Sequence, residues 1–337
     1  MYLTRRRLLT DKMADYYQAD QKTWLAMNAK VKDTRRLMSQ FGAKVPFQFS
    51  LWNPSAQNGH SNGFQSQHEH LQLIFLSVEE PCSECTLFST VIPNEEFHGS
   101  LPWTKLIDST VPQKSVQASK EEVLMNERKR CSSRGITSYQ MCNTSGRIVF
   151  PADGCLFETS VQGTMGFKEV PNTDGRFRNN AAVCPSNPDL IAFFNQGNIW
   201  IYDGLENKQW KLTNLTEEEV SSGLTAGWPA YITLEEFDRY QAFWWNPVPD
   251  PQTGYYSILY EETDESGVDL VSIAALDSIE QHRFPRPGTN NAKSVLKIVT
   301  FKPGGLTFLL EWNFDFHEHF PWCEYIPRMG WTPNGQR

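Results

Sequence analysis

Glu235 and Glu236 stand side by side in the segment Tyr231-Ile232-Thr233-Leu234-Glu235-Glu236-Phe237-Asp238-Arg239, and adjacent carboxylates are suited to holding a cationic ligand. On a strand the two side chains face opposite ways, whereas a helical turn lets both reach one point. Adjacency alone does not single them out. Acidic neighbours also occur at Glu79-Glu80, Glu95-Glu96, Glu121-Glu122, Glu217–Glu219 and Glu261-Glu262. A plainer reading fits the same residues. Thr233 and Glu236 have capping-box spacing, and Arg239 lies four residues after Glu235 and three after Glu236. So read, the segment is a short capped surface helix carrying its own ion pairs.

Other candidates for chemistry lack the context that chemistry needs. Gly59-His60-Ser61-Asn62-Gly63 fits the G-x-S-x-G nucleophile elbow, but Asn, Pro, Ala and Gln precede it where a strand belongs. Ser61 is therefore not expected to be a nucleophile, and no catalytic residue is expected in this chain. Cys82 and Cys85 have the spacing of half a zinc site or a redox pair, yet no second C-x-x-C follows. His68/His70 and His317/His319 are pairs that share a face if they lie on strands. Surface histidines are far commoner than ligands, so neither a metal nor another cofactor is expected.

The elements that must position these residues read as mostly β. The 337 residues carry a net charge of -8, which argues against nucleic acid as a partner. The basic runs Arg5–Arg7, Arg35-Arg36 and Arg128–Arg130 read as solvated faces. With 39% hydrophobic and 13% aromatic residues, the chain has a core rich in strand formers. The N-terminus has charge but no apolar stretch behind it, and no run approaches a membrane span, so a cytoplasmic protein is expected. Its seven cysteines then read as reduced thiols and its sequons at Asn143 and Asn214 as silent.

Residues 1–19 read as a disordered tail, and Asp20–Phe41 as an amphipathic helix with Trp24, Met27, Val31, Met38 and Phe41 on one stripe. A polar loop spans Asn53–Gln67, and strands are expected at Leu71–Ser77 and Leu87–Ile92. Ser119 and Glu122 form a capping box opening a second helix that ends in Arg128–Arg130. Beyond Arg130 short β runs recur, and Cys184–Thr213 reads as a three-stranded meander. Gly330–Gly335 reads as the opening of another such unit. Periodicity alone supports an all-β sandwich or propeller.

The sequence around the glutamates, YITLEEFDRYQAFWWNP, resembles the glutamate-pair segment of the dipeptidyl peptidase IV family, and specifically its cytosolic 8/9 branch. TWLAMNAKVKDTRRLM, ERKRCSSRGITSYQ, CPSNPDLIAFFNQGNIWI, ILYEETDESGVDLVSI, HRFPRPGTNNAK and EYIPRMGWTPNG resemble further segments in the same order. The likeness runs from about Thr23 to Arg337 and is weakest at Asn53–Gln67 and Asn172–Val183. Asn246 stands where a cysteine is usual, and Pro327-Arg328-Met329 where the family reads Ala-Arg-Ala.

The resemblance implies an eight-bladed β-propeller capping an α/β-hydrolase domain that removes N-terminal X-Pro or X-Ala dipeptides. It implies that Glu235 and Glu236 bind the substrate α-ammonium and that Arg130 meets a substrate carbonyl. Residues 20–130 are expected to hold N-terminal helices and first strands, and 131–337 about half the propeller blades. The G-W-S-Y-G-G elbow, Asp and His have no counterpart, so the chain is expected to be non-catalytic by itself. The alternatives are a truncated isoform that binds peptide N-termini or a full-length relative, and an incomplete gene model. Half a propeller leaves blade edges bare, so Trp244, Trp245 and Trp312 are expected to lose cover, and the lone chain to aggregate or need a partner.

Overall fold

Runs of β-branched and aromatic residues, broken by Gly, Asn, Asp and Pro, build the described part of this chain largely from antiparallel strands. The computed structural model describes residues 23–38, 45–53, 71–78, 84–94, 96, 98–107, 125, 128, 134–152, 154–162, 166–172, 177–274, 279–304 and 308–335. Residues 23–38 form helix α1, inside the span expected for it, with Trp24 and Met38 more than half exposed. The Gly59–Gly63 motif, Cys82, His68, His70, positions 54–67 of the polar loop, and Ser119 and Glu122 lie outside the described residues.

The first sheet joins β1 (Phe47–Trp52), β2 (Leu71–Val78), β3 (Glu84–Ile92) and β4 (Thr104–Lys105), with β5 (Arg134–Gly135) parallel to β3. The expected hairpin pairs Leu71 with Ile92 through Val78 with Cys85. The second sheet is a meander of β6 (Gln140–Met141), β7 (Arg147–Ala152), β8 (Cys155–Ser160) and β9 (Lys168–Glu169). The third is β10 (Asn179–Val183), β11 (Leu190–Asn195), β12 (Asn198–Asp203) and β13 (Lys208–Lys211), in that order. Its β11–β12 turn places Gln196 (φ 49) and Gly197 (φ 74) in the left-handed region that a two-residue hairpin demands.

Helix α2 (Glu217–Ser222) follows, started by a reciprocal capping box between Thr216 and Glu219. The fourth sheet contains β14 (Leu224–Ala226), then, after helix α3 (Tyr231–Glu236), β15 (Phe243–Trp245) and β16 (Tyr256–Asp264). After the separate hairpin of β17 (Leu270–Ala274) and β18 (Ile279–Arg283), β19 (Lys293–Phe301) and β20 (Phe308–Asp315) complete it, and helix α4 (Phe316–His319) ends it. His317 and His319 thus lie on a helix instead of a strand, where residues two apart diverge. Asp315 accepts hydrogen bonds from the backbone of His317 and Glu318 and so starts that helix.

The four large sheets pack in chain order through shared cores. Ile74, Leu76 and Leu87 meet Ile148, Phe150 and Phe157 between the first two. Val149 and Leu156 meet Ile191, Phe193 and Tyr202 between the second and third. Ala192, Phe194 and Ile201 meet Phe243, Trp245, Ile258 and Phe301 between the third and fourth. β11 is buried on both faces, which is why its sequence is a continuous apolar run without alternation.

Two hydrogen bonds hold the Gly330–Gly335 segment to the fourth sheet. Trp331 Nε1 donates to the Trp244 carbonyl at 3.0 Å, and Asn246 Nδ2 to the Gly335 carbonyl at 3.2 Å. Trp245 is also covered: it is 7% exposed and its Nε1 donates to the Ala182 carbonyl at 3.0 Å. No helix among the described residues is long and apolar enough to cross a membrane.

Candidate functional site

Helix α3 carries Glu235 and Glu236, and it starts without the expected cap. Its N-cap is Ala230, which offers no side-chain hydrogen bond. The Tyr231 N–H instead donates to Glu265 Oε1 at 3.1 Å, so a carboxylate from the end of β16 serves the helix N-terminus. Thr233 cannot cap, because it lies inside the helix and is 1% exposed beside Leu234. Those two residues anchor the helix, and the glutamates that follow face outward.

Arg239 also departs from the local rule. Asp238 adopts φ 49 directly after the helix and reverses the chain. Arg239 therefore turns into the core, where it is 5% exposed and Nη2 meets Glu261 Oε2 at 2.7 Å. Its backbone N–H returns to the Thr233 carbonyl at 3.3 Å. At the same end Arg328 Nη1 donates to the Phe237 carbonyl at 2.8 Å. The helix is thus fixed at both ends while Arg239 stays away from Glu235 and Glu236.

Among the described residues, the cation that reaches the pair is Arg128. Its Nε donates to Glu235 Oε1 at 2.8 Å, and its guanidinium lies 4.7 Å from the Tyr231 ring centroid. Its side chain is 10% exposed against 34% for Glu235, so the ion pair opens to solvent on the carboxylate side. Tyr231 in turn meets Phe284 edge-on at 5.2 Å. The Tyr240 hydroxyl sits 3.5 Å from the Arg128 carbonyl and 3.2 Å from Asp238 Oδ1. Glu236 makes no hydrogen bond or ion pair among the described residues and is exposed. Arg130 lies outside the described residues.

Burial raises the Glu265 carboxyl above its ordinary value, and the Tyr231 N–H and the guanidiniums of Arg283 and Arg128 oppose that rise. Burial, then Glu235, raises the Tyr231 phenol. Tyr325 is pushed up to about 12 by burial, Glu324 and Glu265. The arrangement offers one carboxylate steered by an arginine and a second with no partner among the described residues, a geometry suited to a compact cation with several donors. Among the described residues no group of three His, Cys, Asp or Glu side chains could hold a metal. Cys85 is a buried core residue of β3.

Sequence reasoning missed Arg128, Tyr231, Tyr240 and Glu265. The one signal for Arg128 is that it opens the basic run Arg128–Arg130 from which the expected arginine was drawn.

The chain is similar to known proteins over most of its length. The profile of the dipeptidyl peptidase IV (DPP IV) N-terminal region matches residues 143–337, more than half of the chain. The chain therefore belongs to the dipeptidyl peptidase IV family, through its N-terminal region. It is similar to the N-terminal portion of dipeptidyl peptidase 8: 29% identical to the mouse protein over 356 residues and 29% to the human one over 352. Each match covers 96% of this chain and 38% of the relative, so the chain spans well under half of those relatives' length. The crystal structure of Porphyromonas gingivalis dipeptidyl peptidase 4 matches with a TM-score of 0.45 at 16% identity, over 74% of this chain and 33% of that one.

Proposed function

We propose that these residues form the substrate-recognition part of a serine-type dipeptidyl aminopeptidase, and that Glu235 and Glu236 bind the α-ammonium of a peptide N-terminus. The observation that carries this is the Arg128–Glu235 ion pair at 2.8 Å beside an exposed Glu236 that has no partner among the described residues. A primary ammonium brings three donors, and two carboxylates on one helical turn accept them from one side. Arg128 fixes Glu235 and leaves its second oxygen for the ligand. The substrate is then a peptide with Pro or Ala second, with Arg128 or Arg130 available to a substrate carbonyl.

In this reading the successive sheets are consecutive propeller blades over residues 131–337, and a Ser/His/Asp triad on a hydrolase domain performs acylation and hydrolysis. The free thiols at Cys142, Cys184 and Cys323 support a reducing, cytoplasmic setting. The test is to join this segment to the hydrolase portion of dipeptidyl peptidase 8 and follow release of an X-Pro dipeptide from a chromogenic amide. Glu236→Ala is expected to lower kcat/KM by about 2–5 kcal/mol of transition-state stabilisation, as truncating one partner of a bonded charge pair does. An active fusion indifferent to substitution of both glutamates would overturn the assignment.

A further inference from the structure

Two non-glycine residues take left-handed backbone inside strands. Gln48 (φ 53) lies in β1 and Asn180 (φ 52) in β10, each at a register shift, Phe47/Ser50 and Asn179/Ala182. Gln196 and Asn207, which share that conformation, belong to hairpin turns that call for it. Within a strand it is unfavourable and persists where the surroundings impose it, above all at ligand sites. A bulge also re-aims the side chain it carries.

Both bulges open onto one cavity of about 410 Å³, walled by Phe47, Gln48, Tyr139, Asn180, Tyr240 and Gln241 among others. That volume falls within the span of about 300–1,000 Å³ typical of ligand sites. No carboxylate, ammonium, guanidinium or imidazole is among its described lining residues. The wall is braced through its amide nitrogens. Gln48 Nε2 donates to the Tyr139 carbonyl at 2.5 Å, Asn180 Nδ2 to the Tyr240 carbonyl at 2.7 Å, and Gln241 Nε2 to the Phe243 carbonyl at 2.7 Å. The Tyr139 hydroxyl holds the Gln48 carbonyl at 2.8 Å from the other side. The amide oxygens of Gln48, Asn180 and Gln241 accept no hydrogen bond among the described residues.

Three uncharged acceptors, held in place by their own nitrogens over apolar Val149 and Pro151, match the N–H groups of a neutral peptide main chain. Tyr240 is common to this cavity and to the glutamate site, since its hydroxyl contacts Arg128 and Asp238. We propose that the cavity is a second subsite, taking uncharged main chain of a peptide beyond its first two residues. The proposal rests on the glutamate pair binding the N-terminus, and would make the protein favour oligopeptides over dipeptides.

Calorimetry on this chain with Gly-Pro-amide and with Gly-Pro-Ser-Ala-Ser-Ala-amide tests it. The hexapeptide is expected to bind about tenfold tighter, the effect of one or two neutral hydrogen bonds. Ser138→Trp, which fills the cavity, and Asn180→Gly, which keeps the left-handed backbone but removes an acceptor, should each bring the ratio to about one. Glu236→Gln should weaken both ligands and leave the ratio near ten. Equal affinities in the wild type would overturn the subsite and spare the glutamate reading. A gain that survives both cavity variants would place it elsewhere and also overturn it. Failure of Gly-Pro-amide to bind the wild type would overturn the parent reading, and the subsite with it.

Discussion

Arg239 and Glu261 form a water-excluded ion pair, 2.7 Å apart and 5% and 1% exposed, that ties the loop after helix α3 to the middle of the fourth sheet. Ser294 Oγ donates to the other Glu261 oxygen at 2.7 Å, and Arg239 Nη1 donates to the Gln241 carbonyl at 2.9 Å. The loop that ends the glutamate helix is therefore set by buried electrostatics, and Glu235 and Glu236 keep their outward aim.

Breaking that pair from one side leaves a buried charge. Arg239→Ala is expected to cost about 3–5 kcal/mol in denaturant unfolding, while Arg239→Met with Glu261→Met should cost far less or nothing. Equal losses in the single and double variants would mean that packing, and not the uncompensated charge, sets the cost.

Glu265 supplies the pH dependence. Burial raises its folded-state pKa above the ordinary 4.5, so the folded chain holds this proton more tightly than the unfolded one. Stability from this group is then greatest below 4.5 and falls as pH rises through the raised value. Glu265→Gln keeps an oxygen for the Tyr231 N–H and removes the buried charge. Its melting temperature should exceed that of the wild type at pH 7, and the gap should close below about pH 4.5. A gap independent of pH would show that the carboxyl does not titrate differently on folding.

The reciprocal cap of α2 gives a local prediction. Thr216→Ala removes the acceptor for the Glu219 N–H and is expected to destabilise the chain by about 1 kcal/mol. Gly197→Ala should cost more, because a Cβ there would lie 2.4 Å from Val220 Cγ2 at a φ of 74. Urea midpoints that order these two variants the other way would contradict both assignments.

Much of the β architecture was legible because core strands announce themselves. Leu190–Asn195 and the Leu71–Ile92 hairpin are apolar runs bounded by turn residues. β10 was not, since Asn179–Val183 has weak strand preference and is recruited by pairing with β11. The glutamates were legible as a pair on a helical turn. Their surroundings were not: Arg128 and Glu235 are 107 residues apart, and Arg239 finds Glu261 across 22. Local spacing rules assign Thr233 to a cap and Arg239 to the glutamates, and burial overrules both.

The most direct measurement is equilibrium binding of Ala-Pro-amide to this chain, with its α-amine free or acetylated, as a function of pH. If Glu235 and Glu236 hold the α-ammonium, the free peptide binds and the acetylated one does not. Affinity then declines as pH passes the α-amine's own pKa of about 8, and Glu236→Gln reduces the preference. Equal affinity for the free and acetylated peptides, unchanged by Glu236→Gln, would contradict the assignment outright.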